Sequence, residues 1–251
     1  MYNNERKDAV GASHFFADVN FRNVFPSSTS QDQSFFMEIF WYGLACFRFK
    51  SRQLTIIADP YAPEVGLTMP PARAQVVTVS HDAPGHNYVK AVKGYEHVFN
   101  GPGEYEVNGV FITGVASYHR GEPGQRERNT AFLYEFDDLS IGHLGDLGET
   151  LDRKQIEAFN SPDVLIVPVG GDDILDASKA VEIITELEPR IVIPMHYAQP
   201  GLKLSLDPLE KFLKEMGTEA SEPLPSLKLR KSDLTGDETR VILLASQGGP
   251  A

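Results

Sequence analysis

The stretch SHDAPGHN (80–87) places two histidines, His81 and His86, directly after the apolar run AQVVTVS (74–80). Two more histidines, His119 and His196, also fall at the ends of strand-like runs, and Asp146 follows LSIGHLG. Imidazole and carboxylate are donor types that together hold Zn²⁺, Mn²⁺ or Fe²⁺. A strand end can fix such a donor to within about 0.5 Å, which a long loop cannot. Taken singly, a strand-end histidine is more often a hydrogen-bonded residue than a ligand. Asp146, beside Gly145 and Gly148, reads by itself as a turn former. Residue type alone leaves both readings open.

The elements that must position these residues are visible in the hydrophobic pattern. Three β-rich runs, MEIFWY (37–42), CFRFK (46–50) and LTIIAD (54–59), follow closely enough to be joined as hairpins, and AQVVTVS is a fourth strand. Pro84 and Gly85 then form a turn in the loop that carries His81. From 95 to 142 the pattern stays β and is read as a run of antiparallel strands, with Asn108-Gly109 and Asp137-Asp138 as hairpin turns. DVLIVPV (163–169) and RIVIPM (190–195) are continuously apolar, as strands covered on both faces must be. Between them Asp176 caps a helix with the stripe Ala177, Val181, Ile184 and Leu187, which Pro189 stops. A further helix is expected with Asp207 as cap, Pro208 in its first turn, the stripe Leu209, Phe212, Leu213 and Met216, and Gly217 as terminator. A β-rich half followed by a mixed half predicts an α/β (α+β) fold in which two sheets pack together with helices outside, a four-layer αββα sandwich.

The remaining features narrow the class. The 251 residues carry 23 basic and 35 acidic side chains, a formal charge of -12, so the averaged field disfavours nucleic acid as a partner. The single cysteine, Cys46, has no intrachain partner and reads as a small buried residue. No apolar stretch reaches the 18 residues needed to span a bilayer, so no membrane is expected and the cytoplasm is the simplest compartment. Residues 1–36 lack helical or alternating periodicity and read as a flexible extension, with residues 37–251 as one domain and Met37 as the functional start. GPGEY (101–105) lacks the strand-to-helix context of a phosphate loop and is read as a turn. RGEPGQRERN (120–129) is read as a mobile loop beside the cleft, where arginines meet an anionic substrate or simply contact solvent.

The ordered series, VVTVS followed by His81 and His86, then YH at His119, HLGDLG at Asp146 and PMHY at His196, resembles the motif series of the metallo-β-lactamase superfamily. IIADPY supplies Asp59, matching the strand-end aspartate that steadies the metal loop there. The resemblance runs from Met37 to about Arg240 and is nearest to bacterial metal-dependent hydrolases similar to ascorbate-phosphate lactonases. It implies an αββα sandwich with a cleft for one or two ions, Zn²⁺ or Mn²⁺/Fe²⁺. His81 and His119 would hold the first ion and His86 and His196 the second. Asp146, the catalytic candidate, would bridge them, with Asp59 and His143 as supporting residues.

The pattern is also broken. The family motif His-x-His-x-Asp-His here reads His81-Asp82-Ala83-Pro84-Gly85-His86, so each ion loses one donor. Gly43-Leu44-Ala45-Cys46 stands where relatives often carry Gly-His-Ser-Cys. A four-ligand zinc site contributes about 10–16 kcal/mol, so one lost ligand costs ~3 kcal/mol if ligands contribute equally. Loss of the aspartate at Gly85 removes the group that would orient the attacking water. Asp82 is one residue out of register and reads as a solvated turn carboxylate. His14, in the leader, and His97, at a strand start, are not expected to ligate. Two functions remain: a hydrolase of a small-molecule ester, lactone or phosphoester with a depleted metal site, or a non-catalytic descendant that binds a metabolite or protein. A homo-oligomer is compatible with either. A nuclease is disfavoured by charge and by Gly85.

Overall fold

The computed structural model describes residues 36–121, 126–171, 173–236 and 238–251. All but Phe36 of the extension expected over residues 1–36 therefore lies outside the described residues. The apolar runs form two mixed sheets. The six-stranded sheet has the order β15 (Leu227–Leu229), β1 (Met37–Gly43), β2 (Cys46–Lys50), β3 (Thr55–Ala58), β6 (Val76–Thr78) and β8 (His97–Phe99). The seven-stranded sheet has the order β16 (Arg240–Val241), β14 (Ile191–Met195), β13 (Val164–Pro168), β12 (Leu139–His143), β11 (Arg128–Phe136), β10 (Val110–Tyr118) and β9 (Gly103–Val107). Two small strand pairs, β17 (Gly249–Pro250) with β4 (Leu67–Thr68) and β5 (Ala72–Arg73) with β7 (Val92–Lys93), lie apart from these sheets.

Side-chain alternation sorts the core into layers. In β13, Val164 and Ile166 join Phe47, Phe49 and Phe132 in the core between the sheets, while Leu165 and Val167 turn outward beneath the helices. That double burial is why the run is continuously apolar. The outward layer is covered by α1 (Arg153–Phe159), α2 (Ala177–Leu187) and α3 (Leu209–Glu215), through Phe159, Ile183, Leu187 and Phe212. Each such side chain stabilises the fold by roughly 1.5–3 kcal/mol on burial. The outer face of the six-stranded sheet, with Ile57, Val77 and Tyr61, is covered by short 3₁₀ turns and the small strand pairs rather than by α-helices. This is a mixed α+β sandwich of two packed sheets, as the sequence pattern implies. No helix among the described residues is long and apolar enough to cross a membrane.

Local signals account for several elements. Asn108 and Gly109 both take positive φ (52° and 78°) at the β9–β10 turn, and Asp176 caps α2 by accepting from Lys179 N–H at 3.0 Å. Two expectations are corrected, and one helix goes beyond them. The strand at His97–Phe99 does not belong to the antiparallel run: β8 pairs parallel with β6 in the other sheet, which the long connection after β6 permits. Asp207 does not cap α3: Pro208 is the N-cap residue, while Asp207 pairs with Lys211 at 2.6 Å. Helix α1 was not anticipated, although Asp152 and Gln155 form a reciprocal capping box.

Strand direction decides where the chemistry can lie. β3 and β6 run parallel, so Asp59 and the loop from Ser80 to His86 leave the same edge of one sheet. β10 and β12 are both antiparallel to β11, and β12, β13 and β14 are parallel. The residues after β10, β12 and β14 therefore emerge together from one edge of the other sheet.

Candidate metal centre

Those two edges meet. His81 and His86 follow β6, His119 follows β10, Asp146 follows β12 and His196 follows β14, and all five line a cavity of about 410 Å³. The loop after β6 is wound by a turn in which Pro84 and Gly85 occupy the centre and His86 N–H donates to the Ala83 carbonyl at 2.9 Å. That turn brings His86 back beside His81, with ring centroids 4.1 Å apart. Thr130 N–H donates to the Ser80 carbonyl at 2.8 Å and ties the loop to the other sheet.

Two of the aiming residues hold unusual backbone. Asp59 and His196 both have positive φ, 47° and 53°, a conformation that Asp and His tolerate better than most side chains but that still carries strain. In Asp59 it accompanies a hydrogen bond from its N–H to the Thr78 carbonyl (2.9 Å). The carboxylate accepts from Ser80 N–H (2.7 Å), Ser80 Oγ–H (2.7 Å) and His86 Nδ1 (2.9 Å). His196 N–H donates to the Leu44 carbonyl at 3.2 Å. Gly145 (φ 58°) is required before Asp146: a Cβ there would lie 2.4 Å from Asn129 Oδ1 and 2.7 Å from Ser80 Cβ.

Around Asp146 the donor atoms are close. His86 Nε2 is 3.0 Å and His81 Nε2 3.8 Å from Oδ2, and His196 Nε2 is 3.4 Å from Oδ1. His81 and His119 rings are 4.5 Å apart, edge to face. Ligands spaced about 3.3 Å apart are what a tetrahedral ion with ~2.0–2.1 Å bonds produces. Among the described residues, His81, His86 and Asp146 offer ligand atoms that all lie within 4.8 Å of one another. Three buried atoms in this cavity, His119 Nε2, His196 Nδ1 and Asp146 Oδ1, have no hydrogen-bond partner. Orphaned buried donors and acceptors are costly, so such a set fits an ion better than it fits the bare protein.

The electrostatics agree with that fit. Burial would raise the Asp146 carboxyl, but the imidazoles of His196, His86 and His81 outweigh it and hold the group well below the usual carboxylate range. Burial would lower His86, but Asp146 and Asp59 override it and push the imidazole up to about 10. In the bare protein His86 is thus an imidazolium gripped between two carboxylates, a positive charge where a cation's field would act. Burial and the neighbouring His86 push His81 down to about 3, and burial lowers His196. Burial likewise lowers His143.

The five candidate ligands are brought together, and Asp59 holds His86 from behind. His143 supports the site from behind: its Nε2 lies 2.8 Å from the Ala45 carbonyl and its Nδ1 accepts Gly145 N–H at 3.2 Å, so it braces the Asp146 turn. His97 stacks on Phe99 away from the cavity, and His14 lies outside the described residues. Asp82 is exposed and accepts a short hydrogen bond from Asn87 Nδ2. Ala83 and Gly85 do line the cavity, and a Cβ on Gly85 would meet only Leu44 Cδ1, at 3.9 Å. Two arginines of the 120–129 loop face acids: Arg120 pairs with Asp176 at 2.7 Å, and Arg126 pairs with Glu149. Residues 122–125 of that loop lie outside the described residues. Cys46 is buried and free, with its thiol pushed well above its usual value by burial.

Two residues of the site were not anticipated, Ser80 and Asn129. Asn129 Oδ1 accepts Asp146 N–H at 3.0 Å while its Nδ2 donates to Ser117 Oγ and the Leu144 carbonyl. A lone amide beside the apolar run TAFLY of β11 was the available signal, since a polar side chain entering a buried strand needs partners.

Residues 38–196 match the profile of the β-lactamase superfamily domain. The chain is 34% identical over 138 residues to a metal-dependent hydrolase of Pyrococcus abyssi, a match that covers 53% of this chain and 60% of that relative. It is 31% identical over 195 residues to a metal-dependent hydrolase of Pyrococcus furiosus, covering 72% of this chain and 83% of the relative. Among solved structures, a protein of Thermotoga maritima assigned as a Zn-dependent hydrolase of the metallo-β-lactamase superfamily superposes with a TM-score of 0.69 at 36% identity, covering 83% of this chain and 98% of that one. An isothiocyanate hydrolase from Delia radicum gut bacteria shares the fold, with a TM-score of 0.61 at 14% identity over 77% of this chain and 98% of its own.

Proposed function

Because the chain belongs to the β-lactamase superfamily, we propose that it is a metal-dependent hydrolase with a depleted metal site, acting on a small-molecule ester, lactone or phosphoester. The observation that carries this reading is the convergence of four imidazoles and one carboxylate on one cavity, three of whose lining residues carry a buried polar atom with no hydrogen-bond partner.

His81 and His119 would hold one divalent ion, His86 and His196 a second, and Asp146 both; Zn²⁺, Mn²⁺ and Fe²⁺ suit this donor set. A bound ion supplies an acidified water and polarises the scissile carbonyl or phosphoryl oxygen. The chain's own residues do the positioning. Asp59 keeps the His86 proton on Nδ1, so that Nε2 faces the cavity. Asn129 and the Gly145 turn hold the Asp146 backbone in place. Gly85 offers no carboxylate to orient water, and Asp82, exposed and bound to Asn87, does not replace it. Turnover is therefore expected to be slow. The cavity rim carries Glu64, Glu127 and Asp173 against a single Lys203, which favours uncharged esters and lactones over phosphoesters.

Ala83 and Gly85 support a second reading, a non-catalytic descendant that binds a metabolite or protein in the same cavity. The two are separated by assaying the Zn²⁺- or Mn²⁺-equilibrated full chain against nitrophenyl esters, simple lactones and phosphodiesters. Metal-dependent turnover abolished by His119→Ala and Asp146→Ala supports the hydrolase. A metal-loaded protein with no turnover supports the descendant.

A further inference from the structure

Ser80 lies between the two halves of the site and is 2% exposed. Its hydroxyl has one hydrogen to give. Oγ sits 2.7 Å from Asp59 Oδ2, and because an ionised carboxylate can only accept, that hydrogen goes to Asp59. Oγ then has only lone pairs left for His81 Nδ1, 3.1 Å away. This contact is a hydrogen bond only when the imidazole hydrogen is on Nδ1, which leaves the Nε2 lone pair directed toward Asp146. His86 is oriented by the same carboxylate without an intermediary: its Nδ1 is 2.9 Å from Asp59 Oδ2 and, more distantly, 3.3 Å from Ser80 Oγ.

We propose that Ser80 is a positioning residue that sets the tautomer of His81. A single buried carboxylate, Asp59, thereby governs one imidazole in each half of the site, His86 directly and His81 through the Ser80 hydroxyl. Serine, aspartate and histidine are also the residue types of a nucleophilic triad, but Ser80 is no nucleophile. Its oxygen is buried, and it approaches the same ring nitrogen that faces Asp59. Indirect control of this kind is what orients metal-binding histidines, and its loss typically costs 10–100-fold in metal affinity. The consequence for metal rests on the hydrolase reading above; the tautomer assignment does not.

The test is long-range ¹H–¹⁵N NMR of the metal-free full chain at neutral pH, which reads the protonated nitrogen of each histidine directly. The expected result is Nδ1–H at His81 in the parent, Nε2–H at His81 in Ser80→Ala, and an unchanged His86. The same His81 tautomer in both proteins overturns the proposal. Should Ser80→Ala not fold, the parent decides: Nε2–H at His81 overturns it. A chelator titration with Zn²⁺ adds an independent measure. Ser80→Ala should weaken one binding step by about 10–100-fold and leave the other, whereas Asp59→Asn should weaken both. Equal weakening of both steps by Ser80→Ala would contradict the division of labour. If the parent binds no metal yet shows His81 Nδ1–H, the hydrolase reading fails and the role of Ser80 stands.

Discussion

The two sheets contribute to the cavity in different ways. The seven-stranded sheet supplies His119, Asp146 and His196, each within three residues of a strand end, at all three positions where the proposed site needs a donor. The six-stranded sheet supplies one loop, His81 to His86, and keeps two donors of four. Within that loop the retained histidines are those wired to the buried Ser80–Asp59 pair, while the lost positions, Ala83 and Gly85, face open cavity. A Cβ at Gly85 would meet only Leu44 Cδ1, at 3.9 Å, so little packing is lost there. On the proposed reading, positions held by buried hydrogen bonds would serve both folding and metal binding, whereas positions facing the cavity would serve metal binding alone and could change without unfolding the chain.

The sharpest way to break this contrast is Asp146→Ala. Removing the carboxylate leaves the His86 imidazolium with one partner, and breaking a buried ion pair costs about 3–5 kcal/mol. Metal binding should disappear and urea unfolding of the metal-free protein should shift by that amount. If stability is unchanged, Asp146 does not carry the charge assigned to it.

Restoring the depleted loop should have the next largest effect. The double change Ala83→His, Gly85→Asp adds one donor to each half of the site, worth ~3 kcal/mol or about two orders of magnitude in affinity per ligand. Chelator competition should show tighter Zn²⁺ binding and a hydrolysis assay should show faster turnover. A parent that already matches the restored variant would end the idea of depletion.

A smaller effect is expected from pH on the metal-free protein. His86 titrates near 10 when folded and near 6.5 when unfolded, so its contribution to stability is fully present below pH 6.5 and is lost as pH rises toward 10. Unfolding midpoints measured in chelator should fall across that interval, and a flat profile would contradict the pairing of His86 with Asp146 and Asp59. The smallest change is predicted for Asp82→Asn, which alters an exposed carboxylate outside the cavity: stability within about 0.5 kcal/mol of the parent, and unchanged metal affinity. A large loss of metal would show that Asp82 enters the site after all.

Much of this was legible in the sequence because the signals were local. Continuous apolar runs identified β13 and β14, Asn108-Gly109 identified a hairpin, and Asp176 identified the start of α2. The five candidate ligands that meet at one cavity were legible because each follows a strand. What escaped depended on partners distant in the chain, on competition between close ones, or on an element too short to show a pattern. The parallel pairing of β8 with β6 is a tertiary choice that no periodicity records. Asp207 has the residue type of a cap but is drawn to Lys211, and α1, at seven residues, is too short to show a stripe. Ser80 and Asn129 matter through hydrogen bonds across 21 and 17 residues of chain, to Asp59 and Asp146, so only the folded arrangement distinguishes them from ordinary polar residues.

Elemental analysis of the full chain after equilibrium dialysis against dilute Zn²⁺ tests the central claim most directly. The account predicts one or two ions per chain in the parent and none in the Asp146→Ala variant. A parent that leaves dialysis free of metal would contradict it.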